Sequence, residues 1–365
     1  DTGWLTDQVP LPLSPPFWLK LIPRSIKKNM LSWLSGVGRY SSDALSWRFV
    51  FVNMAPHLLV ALQNHRWNLV LLPQSNSSVF FPFMPATLKR VIFFHDIRSD
   101  YLRKAPREHR RNDHSGVYRE EQTALRDSAG QVYLSNLDLS RSESLRADRR
   151  SAVSTVSTMT VDHEYFDRAL VQTWTGAQAG YVLFTGNLSH PPNIDALGYL
   201  ISEIWPIVID LRPEARLVVV GMNPAAALST LITAAPNTIL CANVPDIRPF
   251  FKGASVYVVP MRFGGGVRQK ILEAWAMNIP VVTTGMGIEG IAAEHKIHCY
   301  IEDSAEELAR SITELLDAPT SHSITQNARQ LLMSDHSIDE ATQAMERTFT
   351  RVLDRAGKEP VKVLF

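Results

Sequence analysis

Short apolar runs alternate with amphipathic stretches through the second half of the chain. The continuous runs predict strands at residues 181–187, 215–222, 237–244, 254–261, 279–284 and near 298–302. Helices are predicted between them at 193–211, 224–233 and 246–252. Continuous Val and Ile runs separated by amphipathic helices are typical of a parallel sheet covered on both faces. We therefore expect a Rossmann-like domain whose ligand lies at the carboxyl ends of the strands.

The first half repeats this pattern less regularly. Strands are predicted at 68–73, 90–96, 130–135 and 152–157, with a long helix at 44–65. A first strand followed by a glycine turn is missing, and residues 1–40 are instead rich in Pro, Trp and Lys. Within them, apolar residues interleave with lysines at 17–34, which predicts either an interfacial membrane contact or a proline-broken stretch packed on its own domain.

Three helices are predicted near the end of the chain, at 304–316, 324–333 and 338–355. The last is long enough to return to the first domain. The predicted organisation is an N-terminal Rossmann-like domain at 1–172, a second Rossmann-like domain at 173–340, and a terminal segment at 341–365 that crosses back.

Charge is distributed unevenly, although the 365 residues carry a net charge of only +1. Residues 1–150 hold 21 Lys and Arg against 13 Asp and Glu. A basic first half favours an anionic acceptor or an anionic membrane surface, and the missing basic-aromatic motif argues against nucleic acid. Cys241 and Cys299 lie in apolar runs and predict free thiols in a reducing compartment. With no secretory signal visible from Asp1 onward and apolar runs far below ~20 residues, we expect a cytoplasmic protein, peripheral on the inner face of the membrane.

Three consecutive glycines follow the strand predicted at 254–261. Gly264, Gly265 and Gly266 lack a Cβ, so their backbone can approach a ligand closely, and they are predicted to open a helix that carries Arg268, Lys270 and Glu273. A helix N-terminus with cations suits an anion, and a carboxylate suits hydroxyl groups. The pattern predicts a site for a nucleotide-sugar, and the alternative is a tight turn with surface cations.

Polar side chains also follow a strand of the first half. His95 and Asp96 end the apolar run at 90–96, which would place them at the cleft as a general base or polar clamp, or else as a loop histidine and a helix cap. His163 and His190 are predicted to be loop residues. Because no Asp-x-Asp motif ends a strand, we expect no metal to hold the diphosphate.

The run from residue 181 to 316 resembles the C-terminal domain of family-four glycosyltransferases with the GT-B architecture, and is similar to bacterial polysaccharide-assembly (exopolysaccharide) members. The resemblance is carried by Phe184-Thr185-Gly186, Pro192-Asn193-Ile194-Asp195-Ala196, Lys270-Ile271-Leu272-Glu273-Ala274, Pro280-Val281-Val282-Thr283-Thr284 and Glu289-Gly290. It implies an α/β fold of two Rossmann-like domains that face each other across a cleft. The domain at 1–172 would lie on the acceptor side, and the domain at 173–340 would bind the nucleotide-sugar.

The resemblance also implies roles for residues of the site. A carboxylate at Glu273 would bind the ribose hydroxyls of the donor, while the second glutamate of the family, eight positions earlier and facing the donor sugar, is here Gly265. The cations that the family often places after the first strand are also missing, so Arg268 and Lys270 are the expected replacements. The predicted donor-binding residues are Gly186, Asn187, Val244, Gly264, Gly265, Gly266, Val267 and Glu273, and the predicted catalytic residues are His95, Asp96, Arg268 and Lys270.

The predicted function is sugar transfer from a nucleotide diphosphate-sugar to a glycan, lipid-linked or other anionic acceptor. The resemblance implies retention of configuration, and neither a cofactor nor a metal is expected. Two alternatives remain open. One is a catalytically weak sugar-nucleotide-binding partner of another transferase, and the other is a sugar-nucleotide epimerase or glycan phosphorylase on the same scaffold.

Overall fold

A computed structural model describes residues 68–106, 114–146, 152–178, 180–317, 322–354 and 363–364. These residues form two parallel β-sheets with helices packed against them. The predicted α/β fold, the GT-B architecture of two Rossmann-like domains, is confirmed.

The first sheet has the strand order β11-β1-β2-β3-β4. Its strands are β1 (Leu69–Pro73), β2 (Lys89–Phe94), β3 (Gly130–Tyr133), β4 (Val153–Val156) and β11 (Val363–Leu364). Helices α1 (Arg98–Lys104) and α2 (His114–Asp127) connect β2 to β3, and α3 (Asn136–Leu145) connects β3 to β4. All pairings are parallel, so the polar residues that follow β2 and β3 lie at one edge of the sheet.

The second sheet has the order β10-β9-β8-β5-β6-β7, again with parallel pairings. Its strands are β5 (Tyr181–Asn187), β6 (Leu217–Met222), β7 (Thr238–Ala242), β8 (Ala254–Val259), β9 (Val281–Thr283) and β10 (Tyr300–Ile301). The chain adds β6 and β7 on one side of β5 and then crosses to place β8 on the other side. The order therefore reverses between β5 and β8, and the crevice beyond their carboxyl ends is the expected ligand position.

The remaining helices cover these sheets. In the second half they are α4 (Pro191–Tyr199), α5 (Trp205–Leu211), α6 (Ala226–Ala234), α7 (Arg248–Gly253), α8 (Gln269–Ala276), α9 (Ala305–Asp317), α10 (His322–Asp335) and α11 (Ile338–Asp354). Helix α11 packs on β3 and β4 of the first sheet, where its Phe349 and Val352 join Leu69, Val91 and Val132 in one core cluster. The terminal helix thus contacts the N-terminal half of the chain.

Several predicted bounds differ from the structure by one or two residues, and three differences have a physical reason. The helix predicted at 193–211 begins at Pro191 and contains a π-helical turn, Leu200–Ile204, before Pro206, which has no N–H to continue the regular ladder. The strand predicted to reach residue 261 ends at Val259, before Pro260. The glycines do not open the next helix, because α8 begins at Gln269 and Gly264 and Gly266 have positive φ values of 147° and 69°.

The helix predicted at 44–65 and the apolar, lysine-rich segment at 17–34 lie outside the described residues. Within the described ranges, no helix has the length and apolar character needed to cross a bilayer.

Candidate functional site

The glycine loop, residues 260–268, connects β8 to α8 at the crevice between β5 and β8. A Cβ at Gly266 would lie 2.6 Å from the backbone carbonyl oxygen of His95, and the φ of 69° disfavours any L side chain. The turn after β2 of the first sheet therefore packs directly on the glycine loop. Tyr101 of α1 and Phe263 of the loop add a stacked pair with ring centroids 6.2 Å apart.

Asp96 fills the space beside Gly265. A Cβ at Gly265 would lie 3.0 Å from Asp96 Oδ2 and 3.2 Å from Tyr101 Cβ, closer than ordinary van der Waals contact. The other oxygen, Asp96 Oδ1, is buried and accepts no hydrogen bond from the described residues. Burial raises the pKa of Asp96, and the charges of Arg98, His95 and Arg268 oppose this. A carboxyl group from the first sheet thus occupies the place of the side chain that Gly265 lacks.

Arg268 binds the backbone of the glycine loop. It precedes α8 as its N-cap residue and is only 7% exposed. Its Nη1 donates to the carbonyl oxygens of Gly265 and Gly266, whereas Nε and Nη2 are buried without a partner among the described residues. Burial lowers the pKa of Arg268, although Glu289 and Asp96 act in the opposite direction. Three N–H groups of the guanidinium, one on Nε and two on Nη2, therefore have no acceptor among the described residues.

Lys270, in the first turn of α8, reaches the end of β5 with its side chain. Its Nζ donates to the carbonyl oxygen of Thr185 at 2.7 Å and to Asn193 Oδ1 at 2.9 Å. The same nitrogen is 3.1 Å from the position of a Cβ at Gly186, so a larger residue there would displace it. Burial of the ammonium, and then the charge of Arg268, lowers the pKa of Lys270 to about 7. An anion at this position would restore its charge.

The loop after β5 adds polar groups beside Lys270. Asn187 Oδ1 accepts from the backbone N–H of Ser189 at 3.0 Å and from its hydroxyl at 2.8 Å, and the Asn187 amide is exposed. His190, the exposed N-cap residue of α4, has its pKa lowered by partial burial and by the charges of Lys270 and Arg268. Because it lies beside two cations, His190 is a candidate for binding an anionic ligand. The sequence predicted only a loop residue at this position.

Glu273 follows one turn into α8 and is partly exposed. Burial raises the pKa of its carboxyl group, and the charge of Lys270 opposes the increase. Within the described part of the chain its carboxylate has no hydrogen-bond or ion-pair partner. Two acceptor oxygens are therefore available beside the cations, which is what a pair of sugar hydroxyls requires.

Two predicted binding residues differ in their surroundings. Val267 is 8% exposed, and its Cγ2 lies 3.0 Å from the position of a Cβ at Gly290, so its side chain is part of the packing. Val244 follows β7, two strands away from β5 at the same edge of the sheet, and is partly exposed. The structure brings the other predicted residues together around the glycine loop and the end of β5.

An ion-pair network joins the two sheets beside this site. Glu289, which follows β9, accepts from Arg141 of α3 and from Lys104 of α1, the latter at 3.3 Å. Burial alone would raise the pKa of Glu289, but Arg141 and Lys104 outweigh it and lower the pKa. Asp100 binds the same cations, with 2.8 Å to Lys104 Nζ and 3.1 Å to Arg141 Nε. The network thus connects the glycine-loop side of the crevice to α1 and α3.

Within the described residues, no group of three His, Cys, Asp or Glu side chains could hold a metal ion. The polar groups around the glycine loop are instead the cations of Arg268 and Lys270, the imidazole of His190 and the carboxyl groups of Glu273 and Asp96. Chemically, this arrangement can hold an anion at the cations and hydroxyl groups at the carboxylates.

Comparison with known proteins finds a family match in the second half of the chain. Residues 179–318 match the family "Glycosyl transferases group 1". An uncharacterized 44.6 kDa protein in the cps region of Klebsiella pneumoniae is 30% identical over 138 residues, which are 36% of this chain and 36% of that protein. The match therefore spans about a third of the relative's length.

Solved glycosyltransferases have the same fold. A glycosyltransferase from Rickettsia africae superposes with a TM-score of 0.61 at 15% identity over 84% of this chain and 82% of its own. Anabaena HepE, solved with UDP and glucose, gives 0.61 at 16% identity over 81% of both chains. The sucrose-phosphate synthase of Thermosynechococcus elongatus gives 0.67 at 12% identity over 84% and 79%. The chain thus has the GT-B fold, and its residues 179–318 match the group 1 glycosyl transferases.

Proposed function

We propose that the chain is a glycosyltransferase that moves a sugar from a nucleoside diphosphate-sugar to a glycan or lipid-linked acceptor, without a metal and with retention of configuration. The observation that carries the proposal is the convergence of Arg268, Lys270 and His190 beside the free carboxylate of Glu273. Cations at one end can bind a diphosphate, and a carboxylate at the other end can accept hydrogen bonds from ribose hydroxyls. Together they match a nucleoside diphosphate.

In the proposed reaction an acceptor oxygen forms a bond to the anomeric carbon, and the bond from that carbon to the diphosphate oxygen breaks. The diphosphate leaves with the electron pair, and the acceptor hydroxyl releases its proton. Lys270 and the free N–H groups of Arg268 would stabilise the growing negative charge, which is usually the largest contribution to such a step. Glu273 would bind the ribose hydroxyls.

His95 and Asp96 would act from the first sheet. Their turn packs on Gly265 and Gly266, so the donor sugar would be bound where the two sheets meet. Burial lowers the pKa of His95, although Asp96 opposes this, so the imidazole is neutral at pH 7 and can accept a proton. Contact between the sheets would also exclude water from the reactive sugar.

A donor-hydrolysis assay tests the proposal. Because the Anabaena neighbour was solved with UDP and glucose, UDP-glucose is the first donor to try. Slow release of UDP that a glycan acceptor accelerates would support the transferase. Binding of sugar-nucleotides without turnover would instead favour the non-catalytic partner, and interconversion of the donor sugar would favour an epimerase.

Replacing Lys270 with methionine is expected to weaken UDP binding about tenfold, because one charge-assisted hydrogen bond is worth about 1.5 kcal/mol or more. Calorimetry measures the change directly. Lys252→Met is the matched control, because Lys252 is also partly buried and donates to a backbone carbonyl, that of Val171. Equal UDP affinity in the Lys270 variant and the wild type would contradict the phosphate role.

UDP binding is expected to take up a proton above pH 7. The free protein has the Lys270 pKa at about 7, and a bound diphosphate raises it, so the affinity falls as the pH rises from 7.5 to 9. The diphosphate itself does not titrate in this window, since its last pKa is about 6. Calorimetry in buffers of different ionisation enthalpy should show the uptake, and Lys270→Met should remove it. A pH-independent affinity would refute the linkage.

A further inference from the structure

Arg262 of the glycine loop binds helix α4 with its guanidinium. Its Nε donates to Asp195 Oδ2 at 3.0 Å and its Nη2 donates to Asp195 Oδ1 at 2.5 Å, so the pair is bidentate. The guanidinium also lies over the ring of Tyr199, 4.8 Å from its centroid. Asp195 and Tyr199 are four residues apart and therefore share one face of α4. The two contacts together fix the direction in which the Arg262 side chain leaves the loop.

This ion pair is stronger than an ordinary surface salt bridge, although the Arg262 side chain is 46% exposed. Exposed pairs contribute little unless their geometry is close to ideal, and a bidentate arginine–carboxylate pair has that geometry. The Asp195 side chain is only 10% exposed, which reduces screening of the pair by salt. Asp195 is the acidic residue of the Pro192–Ala196 motif, and the contact with Arg262 gives it a role.

Helix α4 also contacts Lys270, on the other side of the site. Asn193, in the first turn of α4, accepts from Lys270 Nζ at 2.9 Å and donates to the carbonyl oxygen of Asn187 at 3.0 Å. Asp195 follows two residues later on the same helix. One rigid element therefore holds both the ammonium of Lys270 and the beginning of the glycine loop.

The glycine loop needs such contacts to keep one conformation. Glycine loses more conformational freedom on ordering than any other residue, and Gly264–Gly266 are consecutive. Arg268 binds the carbonyl oxygens of the last two glycines, and the Thr284 hydroxyl donates to the carbonyl oxygen of Met261 before them. Arg262 lies between these two contacts and ties this part of the loop to α4.

We propose that Arg262 and Asp195 are positioning residues for the nucleoside diphosphate, which hold the glycine loop at a fixed distance from Lys270. Arg262 acts through the loop and not by contact with the ligand, since its guanidinium is bound to Asp195 and lies over Tyr199. A loop that is already ordered has less conformational freedom to lose when the ligand binds. The identity of the ligand rests on the proposed function, whereas the contact that orders the loop does not.

Calorimetry with UDP and hydrogen exchange of the ligand-free protein test this inference together. Arg262→Gln and Asp195→Asn should each weaken UDP binding about tenfold. The double variant should also lose about tenfold in affinity, and not about a hundredfold, because both changes break the same pair. In all three variants the backbone N–H groups of the glycine loop should exchange faster without UDP. Arg262→Lys, which keeps the charge but not the bidentate geometry, should recover only part of the affinity.

Arg347→Gln is the matched control, because the Arg347 side chain is 50% exposed and pairs with Glu340 at 3.2 Å on α11. It should change neither the UDP affinity nor the exchange of the glycine loop. The charge-swapped variant, Arg262→Asp with Asp195→Arg, restores the attraction and should regain part of both. Thermal unfolding of each variant without UDP shows whether it is folded.

The outcomes separate this inference from the proposed function. UDP binding by the wild type that is equally tight in Arg262→Gln would overturn the positioning role and leave the proposed function standing. Additive losses in the double variant would overturn the pairing of Arg262 with Asp195. A wild-type protein that binds no UDP, while exchange of its glycine loop still depends on Arg262, would count against the proposed function and support the ordering of the loop by this pair.

Discussion

Glu273→Ala is expected to weaken UDP binding strongly without lowering the stability of the free protein. The Glu273 carboxylate is partly buried and unpaired among the described residues, and burial raises its pKa. Removing it therefore breaks no hydrogen bond there, and alanine is a better helix former. The nucleotide, however, would lose charge-assisted hydrogen bonds worth about 1.5–3 kcal/mol, or roughly 10–150-fold in affinity.

A thermal-shift experiment with and without UDP separates the two effects. The wild-type protein should gain stability, by about 2.7 kcal/mol when UDP is present at 100 times its Kd. Glu273→Ala should unfold at the wild-type temperature or above and gain little from the same UDP. Glu346→Ala, an exposed change on α11, is the control and should respond like the wild type. A normal UDP shift in the Glu273 variant would rule out the ribose assignment.

Much of the fold could be predicted because parallel strands buried on both faces leave continuous apolar runs. Such runs identify β5, β6 and β8, whose strands are buried almost throughout. The strand end at Val259 and the π-helical turn before Pro206 were missed. Both occur where proline removes a backbone donor inside an otherwise regular apolar pattern, so periodicity alone extends the element too far.

The residue types around the glycine loop could be predicted, but their geometry could not. The sequence predicted Arg268 and Lys270 within one helix, whereas Arg268 precedes α8 and turns back to the carbonyl oxygens of the glycine loop. Glycine φ values decide where the helix begins, and the sequence does not specify them. His190 was missed for a related reason, since only the fold brings the N-terminus of α4 to Lys270.

Contacts between the two sheets could not be predicted at all, because they join residues far apart in the chain. Neither the ion pairs of Glu289 with Lys104 and Arg141 nor the contact of Asp96 with Gly265 leaves a local pattern. The contact of Asp96 with Gly265 changes the interpretation of this glycine. Its missing side chain, a glutamate in the family that the sequence resembles, is matched by a carboxyl group from the opposite sheet.

Gly265→Glu is accordingly expected to lower sugar transfer by roughly 100-fold, and Asp96→Ala by a similar factor, whereas the double variant should recover part of the loss. In the single Gly265 variant a second carboxyl group is forced against Asp96, with Cβ at 3.0 Å from Oδ2. Two adjacent buried carboxyls cannot both be charged at little cost. In Asp96→Ala the loop has no carboxyl group beside it, and in the double variant it again has one.

Initial rates with donor and acceptor measure this cycle, and UDP affinity, measured in parallel, shows how much of each loss comes from binding of the nucleotide. Recovery would mean that the double variant loses less activity than the two single losses combined, as expected for residues in contact. Gly265→Ala separates sterics from charge, because it adds the same Cβ without a carboxyl group and should cost less than Gly265→Glu. Additive losses in the double variant would mean that Asp96 and Gly265 act independently. The carboxyl group of the first sheet would then be a packing neighbour of the loop, with no part in holding the donor sugar.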